Sequence, residues 1–118
     1  MNLHEIFTHT IASRAMRKDF VKSLLVYELI YGEFEILYLL SGSEALKPSE
    51  ITYAVNCQAA ATSRIVKSLS QRGFIDYNHD QDDRRAVSVS LSEQGKVLIE
   101  TIKDAFKKLT KNKLINLN

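Results

Sequence analysis

The stretch "AAATSRIVKSLSQRGFIDYNHDQDDRRAVSVSLSEQG", residues 59–95, narrows the fold more than any other part of the chain. Its first part reads as an amphipathic helix over 59–72. Thr62, Ile65, Val66 and Leu69 recur three and four residues apart and mark one side as buried. Gly73 follows at the position where helices commonly end in a left-handed residue. The hydrophobic period then changes to two. "FIDYN" and "AVSVSL" read as short strands, with Val87, Val89 and Leu91 facing one way and Ala86, Ser88 and Ser90 the other. A polar knot joins them as a long hairpin loop. Ser92 is placed to cap the next helix, with Glu93 at that helix's positive end.

Upstream, residues 3–26 read as an amphipathic helix. Leu3, Phe7 and Ile11 recur at four-residue steps, and Phe20, Leu24 and Leu25 continue an apolar stripe. "GEFEILYLLS", residues 32–41, forms a second helix with Glu33 and Glu35 in its first turn, where the helix dipole favours anions. Phe34, Ile36, Leu37, Leu39 and Leu40 make it apolar nearly all round, which predicts burial. A loop then leads to a short helix with Pro48 near its first position and Ile51, Ala54 and Val55 on its inner face. "NCQ" is a break. After the hairpin, Leu98, Ile102, Phe106 and Leu109 stripe a long last helix.

Helix, helix, short helix, helix, hairpin, long helix is the order of a winged helix-turn-helix, a fold that is mainly α with a small β-hairpin wing. The expectation is one domain over 1–118, a size that fits one core. The winged core occupies 32–91. The flanking helices, 1–31 and 92–118, carry more apolar surface than one small core uses, as expected of helices that pair across a dimer.

Several function classes fall away. The single cysteine, Cys57, allows no internal disulfide and suits a reducing compartment. No apolar run is long enough to span a bilayer and the N-terminus lacks a signal-peptide pattern, so a cytoplasmic protein without a membrane partner is expected. A calcium loop starting at Asp80 would need glycine sixth and a carboxylate twelfth, where Arg85 and Leu91 stand. His4, His9, His79 and Cys57 show no zinc-ligand pairing. No metal or other cofactor is implied. No nucleophile–base set or phosphate loop is present, which argues against an enzyme.

The net charge of +2 is too small to identify a partner. Its placement is more informative. Lys96, Lys103, Lys107, Lys108, Lys111 and Lys113 face only Glu100 and Asp104 near the C-terminus, while acids outnumber bases before Cys57. On the helix over 59–72, the face opposite the core carries Ala60, Ser63, Arg64 and Lys67. A helix fits the DNA major groove. Arg64 could address guanine edges or phosphate, Ser63 could donate to either, and Gln58 could read adenine or bond a phosphate. The small alanines let the helix N-terminus approach closely. The plainer alternative is a solvated face on a good helix-forming sequence. The hairpin tip also has two readings. An arginine there can enter a narrow minor groove, oriented by a nearby acid. Otherwise it forms a wet surface ion pair worth about 0–1 kcal/mol.

"SRIVKSLSQRGFIDYNHDQDDRRAVSVSLSEQGK" resembles the signature of the multiple-antibiotic-resistance regulator (MarR) family of bacterial transcription factors. Leu69, Gly73, Phe74 and Ile75 match the end of that family's recognition helix. Asp80, Asp83, Arg84 and Arg85 match its acidic, arginine-bearing wing tip, and Leu91, Ser92 and Gly95 its closing strand. "YGEFEILYLL" and "KPSEITYAV" fit its second and third helices more loosely. The resemblance implies that Arg85 inserts into the minor groove, that Asp83 buttresses it and that Arg84 lies on phosphate. Two departures stand out. The chain ends before a further C-terminal helix common in the family, which gives it the size of the small SarA-like branch. Cys57 and Gln58 also stand where Ser or Thr is frequent. Some members switch through cysteine oxidation, which makes Cys57 a redox candidate. A small core residue is the commoner role for a lone cysteine.

The leading expectation is therefore a sequence-specific, homodimeric DNA-binding transcription regulator. The helix over 59–72 would enter the major groove of double-stranded DNA and the wing, 78–86, the minor groove. A small-molecule effector is a further partner that the resemblance admits. The alternative is a winged helix used for protein contact, or as the heterodimerising partner of a regulator.

Overall fold

The computed structural model describes residues 1–79, 82 and 86–117, with 109–117 as backbone alone. The predicted wing-tip residues Asp80, Asp83, Arg84 and Arg85 lie outside the described residues, as does the side chain of Leu109. The elements are α1 (Leu3–Leu24), α2 (Tyr31–Ser41), α3 (Pro48–Ala54), α4 (Ala59–Gln71), β1 (Ile75–His79), β2 (Val87–Leu91) and α5 (Glu93–Leu117). The chain divides into two compact units, Met1–Phe34 and Glu35–Asn118.

In the first unit α1 starts from a capping box. The Asn2 side chain accepts the Glu5 N–H at 2.9 Å, and the Glu5 carboxylate accepts the Asn2 N–H at 3.3 Å. Two free donors of the helix end are satisfied in this way. The helix ends at Leu24, two residues before the sequence suggests, because the chain tightens into a 3-10 turn over Leu25–Tyr27. Glu28 then takes a left-handed conformation at φ 56°, and Leu29 N–H bonds Leu24 O at 3.2 Å. Leu24 is buried, but Leu25 is exposed and does not continue the stripe. The Phe20 ring stands edge-on to Phe34 at 4.7 Å and to Tyr31 at 6.0 Å, and the Arg17 guanidinium lies 4.1 Å above Tyr31. Each such pair adds about 0.5–1.5 kcal/mol beyond simple burial. The outer stripe is different: Leu3, Phe7 and Ile11 are all exposed.

In the second unit, Ile36, Leu37, Leu40, Ile51, Val66, Leu69, Ile75, Val89, Leu91, Ile99 and Ile102 are buried. Full burial of one such side chain contributes about 1.5–3 kcal/mol. Helix α3 packs on α4 and β2, α4 on β1, and α5 on β2. Two details differ from the periodicity. Ala54 is exposed, because the short α3 turns only Ile51 fully inward. In α5 the buried line runs through Ile99 and Ile102, leaving Leu98 half-buried.

The hairpin is antiparallel, with Ile75 opposite Leu91 and His79 opposite Val87. Leu46 adds a single bridge to Val89, with N–H···O distances of 2.9 and 2.7 Å. Gly73 has φ +82°, which ends α4 as the sequence predicts. The root of α5 is fastened here. Ser92 N–H bonds Phe74 O at 3.0 Å, its hydroxyl donates to Gly73 O, and its oxygen accepts the Gly95 N–H at 3.1 Å.

Candidate nucleic-acid interface

The helix-turn-helix is built from α3, a short turn and α4. Pro48 takes the first turn of α3, where its missing N–H costs nothing. Asn56 makes the turn at φ 52°, a conformation that asparagine tolerates better than most residues. Cys57 N–H bonds Thr52 O at 3.2 Å, so the turn doubles back on α3. Gln58 stands at the N-cap of α4 with no side-chain capping bond and is exposed.

Helix α4 has two distinct sides. Thr62, Val66 and Leu69 are buried, while Ala59, Ala60, Ser63, Arg64 and Lys67 are exposed. The helix contains no Asp or Glu. Its outer face therefore combines two cations, a hydroxyl and a patch without bulk. A phosphate or base edge could approach that face without repulsion from a carboxylate of the same helix. The inner face has one anomaly: the buried Thr62 hydroxyl makes no hydrogen bond.

Other candidates are placed separately. Cys57 is half-buried in the turn and belongs to neither face of α4. His4 and His9 are exposed on α1. Among the described residues no three His, Cys, Asp or Glu side chains come together as a metal site. No described helix is long and apolar enough to cross a membrane.

The structure brings forward groups that pattern reading passed over. Tyr53 projects from α3 with 88 % exposure. An open cleft at the base of the wing loop is lined by Lys47, Asn78, His79, Ala86, Val87 and Ser88. A larger cleft is lined by Leu40, Ser41, Glu44, Leu91, Lys96 and Ile99, from α2, the loop after it, β2 and α5. The long-range Leu46–Val89 bridge sets Lys47 beside the hairpin, and no local sequence signal announces it.

A helix-turn-helix followed by a hairpin, with a cationic outer helix face, defines a winged helix-turn-helix protein. A family model described as the MarR family matches residues 29–87. The chain belongs to that family. It is 32 % identical over 112 residues to the uncharacterized HTH-type transcriptional regulator YwaE of Bacillus subtilis, an alignment covering 92 % of this chain and 66 % of that protein. The chain spans less than two thirds of the length of these curated relatives, 66 % of YwaE and 53 % of B. subtilis YdgJ. Among solved structures, MepR, a transcription regulator of the Staphylococcus aureus multidrug efflux pump MepA, superposes with a TM-score of 0.83 at 17 % identity, over 100 % of this chain and 86 % of that one. An S. aureus MepR–DNA complex gives 0.74 at 18 % identity, over 95 % and 92 %. At these identities the likeness establishes the shared fold.

Proposed function

We propose that this protein is a sequence-specific DNA-binding regulator of transcription that acts as a homodimer. The observation that carries the reading is the outer face of α4. Ser63, Arg64 and Lys67 are exposed beside small alanines on a helix without a carboxylate. Helix α4 enters the major groove, with Arg64 on base edges or phosphate, Ser63 and Lys67 on the backbone, and Gln58 at the helix start. Ala60 permits close approach. The hairpin carries Arg85 into the adjacent minor groove, with Asp83 orienting its guanidinium and Arg84 on phosphate. The exposed Leu3, Phe7 and Ile11 of α1 supply apolar surface for the partner copy. Two recognition helices then meet major grooves about 34–36 Å apart on a palindromic site. A small-molecule effector, as a second ligand, is assigned to the cleft beside Leu40, Leu91 and Ile99, which mixes apolar walls with Lys96 and Glu100 at its edge.

The test is binding to random duplex DNA across a salt series, with sequencing of the bound fraction. The expected result is a steep salt dependence and an enriched palindrome. Salt-insensitive binding to a protein, with no retention of DNA at low salt, would instead favour a protein-contact role for the winged helix.

A further inference from the structure

The cleft at the wing base is assembled from three separate chain segments. Lys47 precedes α3, Asn78 and His79 close β1, and Ser88 lies in β2. Main-chain hydrogen bonds hold all three in place. The Leu46–Val89 bridge sets Lys47 one residue along from β2, and the hairpin register puts Asn78 opposite Ser88 and His79 opposite Val87. Their relative positions are therefore fixed before any ligand arrives, which removes much of the ordering cost of binding.

The chemistry of the lining is one-sided. Ala86 and Val87 form its apolar wall. The Lys47 ammonium, the Asn78 amide and the Ser88 hydroxyl can each donate a hydrogen bond, and among the described residues no carboxylate lines the cleft. The His79 side chain belongs with Val87 to the other face of the hairpin. Asn78 spends one amide hydrogen on Ser90 Oγ at 3.0 Å and keeps the other. Glu50 is near in sequence, but its carboxylate accepts the Lys47 backbone N–H at 2.9 Å. Asp76 is exposed two residues back along β1. Lys47 is also the only Lys or Arg between Lys22 and Arg64, a stretch that holds five glutamates: Glu28, Glu33, Glu35, Glu44 and Glu50. A single cation amid acids, with two neutral donors and an apolar wall beside it, is not a general anion attractor. It suits a ligand delivered to that spot by contacts made elsewhere.

We propose that the Lys47–Asn78–Ser88 side of this cleft binds a phosphate of the DNA backbone beside the wing. The inference rests on the DNA-binding reading above. Lys47 supplies the charge, and Asn78 and Ser88, which share one face of the hairpin, donate to the non-bridging oxygens. Contacts of this kind fix the orientation of the hairpin's loop end without reading sequence. The site thereby sets where the wing enters its groove.

The experiment compares wild type, Lys47→Met and Lys47→Arg in the salt dependence of binding to random duplex DNA and to the selected sequence. Thermal melting confirms that each variant is folded. The expected result for Lys47→Met is a Kd raised on the order of tenfold, a log–log salt slope shallower by about 1.8 for the two copies of a dimer, and the same selected sequence. Lys47→Arg keeps the wild-type slope, and Ser88→Val weakens binding with the slope unchanged. An unaltered slope and affinity in Lys47→Met, while Arg64→Ala still weakens binding, would overturn the site and leave the DNA reading standing. No duplex binding by the wild type at low salt would sink both. Calorimetry with inorganic phosphate covers the other source. Saturable phosphate binding that Lys47→Met removes, with DNA binding untouched, would assign the cleft to a free anion and refute the backbone contact.

Discussion

Gly95 offers the sharpest test of how the wing is tied to α5. It lies in the first turn of α5 and is buried. Helix propensity alone predicts that Gly95→Ala stabilises the protein by about 0.8–1 kcal/mol. The packing predicts the opposite. A methyl group at Gly95 would collide with the carbonyl oxygen of Phe74 and come within 3.2 Å of Leu91 Cδ2. Phe74 O cannot withdraw freely, since it accepts the Ser92 N–H at 3.0 Å at the start of the same helix. Relieving the collision costs about 1–3 kcal/mol as overpacking, and weakening that hydrogen bond costs about 0.5–1.5 kcal/mol more. The net is a loss of about 2 kcal/mol, or roughly 8 °C in Tm for a chain of this size. Calorimetric melting of the pair Gly95→Ala and Gly42→Ala measures it. Gly42 is the control, because an added methyl there meets only Leu39 O at 3.8 Å, and its Tm should hold or rise. A Gly95→Ala protein as stable as wild type would show that α5 is not seated against the α4–β1 junction as described.

Thr62→Val removes a buried hydroxyl that has no partner and should raise stability by about 1 kcal/mol; a urea midpoint lower than wild type would reveal a partner for that hydroxyl. Asn56→Ala should cost about 1 kcal/mol at its left-handed φ of 52°, whereas Asn56→Gly stays close to wild type in guanidinium unfolding. Arg64→Ala should weaken DNA binding and broaden the selected sequence, and an unchanged selection profile would remove Arg64 from base reading. Arg85→Ala should weaken binding more than tenfold with the dimer intact by light scattering; binding that survives at physiological salt would end the wing's assigned role. Phe7→Glu places a charge on the exposed stripe of α1, and sedimentation should show a monomer with a folded spectrum if that stripe is the dimer surface.

The parts legible in the sequence are those set by local chemistry. The stop at Gly73, the cap at Ser92 and the two-residue period of β2 each follow from a residue's own conformational limits. The two sides of α4 were legible for the same reason, since a 3.6-residue period assigns inner and outer positions without knowledge of the partner. The misreadings have a common cause as well. Ala54 and Leu98 are apolar and fit a helical period, but the short α3 and the angle of α5 on β2 decide which residue meets the core. The wing-base cleft was illegible because the bridge that makes it joins Leu46 to Val89, residues far apart along the chain. No pattern within one element predicts that Lys47 stands beside Ser88.

That placement changes what the small net charge means. A total of +2 suggests weak attraction to a polyanion, yet steering and counterion release depend on which cations meet phosphate. Under the proposed mode, Lys47, Arg64, Lys67 and Arg84 face the backbone in each copy. At about 0.9 per contact, roughly eight such contacts in a dimer give a log–log salt slope near −7 as an upper bound. Arg64 lowers the slope to the extent that it reads a base edge instead of phosphate. Acids of α2 and α3 are engaged at helix starts: Glu33 accepts the Ile30 N–H at 3.0 Å at the start of α2 and is buried, and Glu50 accepts the Lys47 N–H at 2.9 Å at the start of α3. Under that mode a nearly neutral chain binds DNA with strong salt dependence, because carboxylates such as Glu5, Glu33 and Glu50 are taken up at helix starts while Lys47, Arg64 and Lys67 stay exposed.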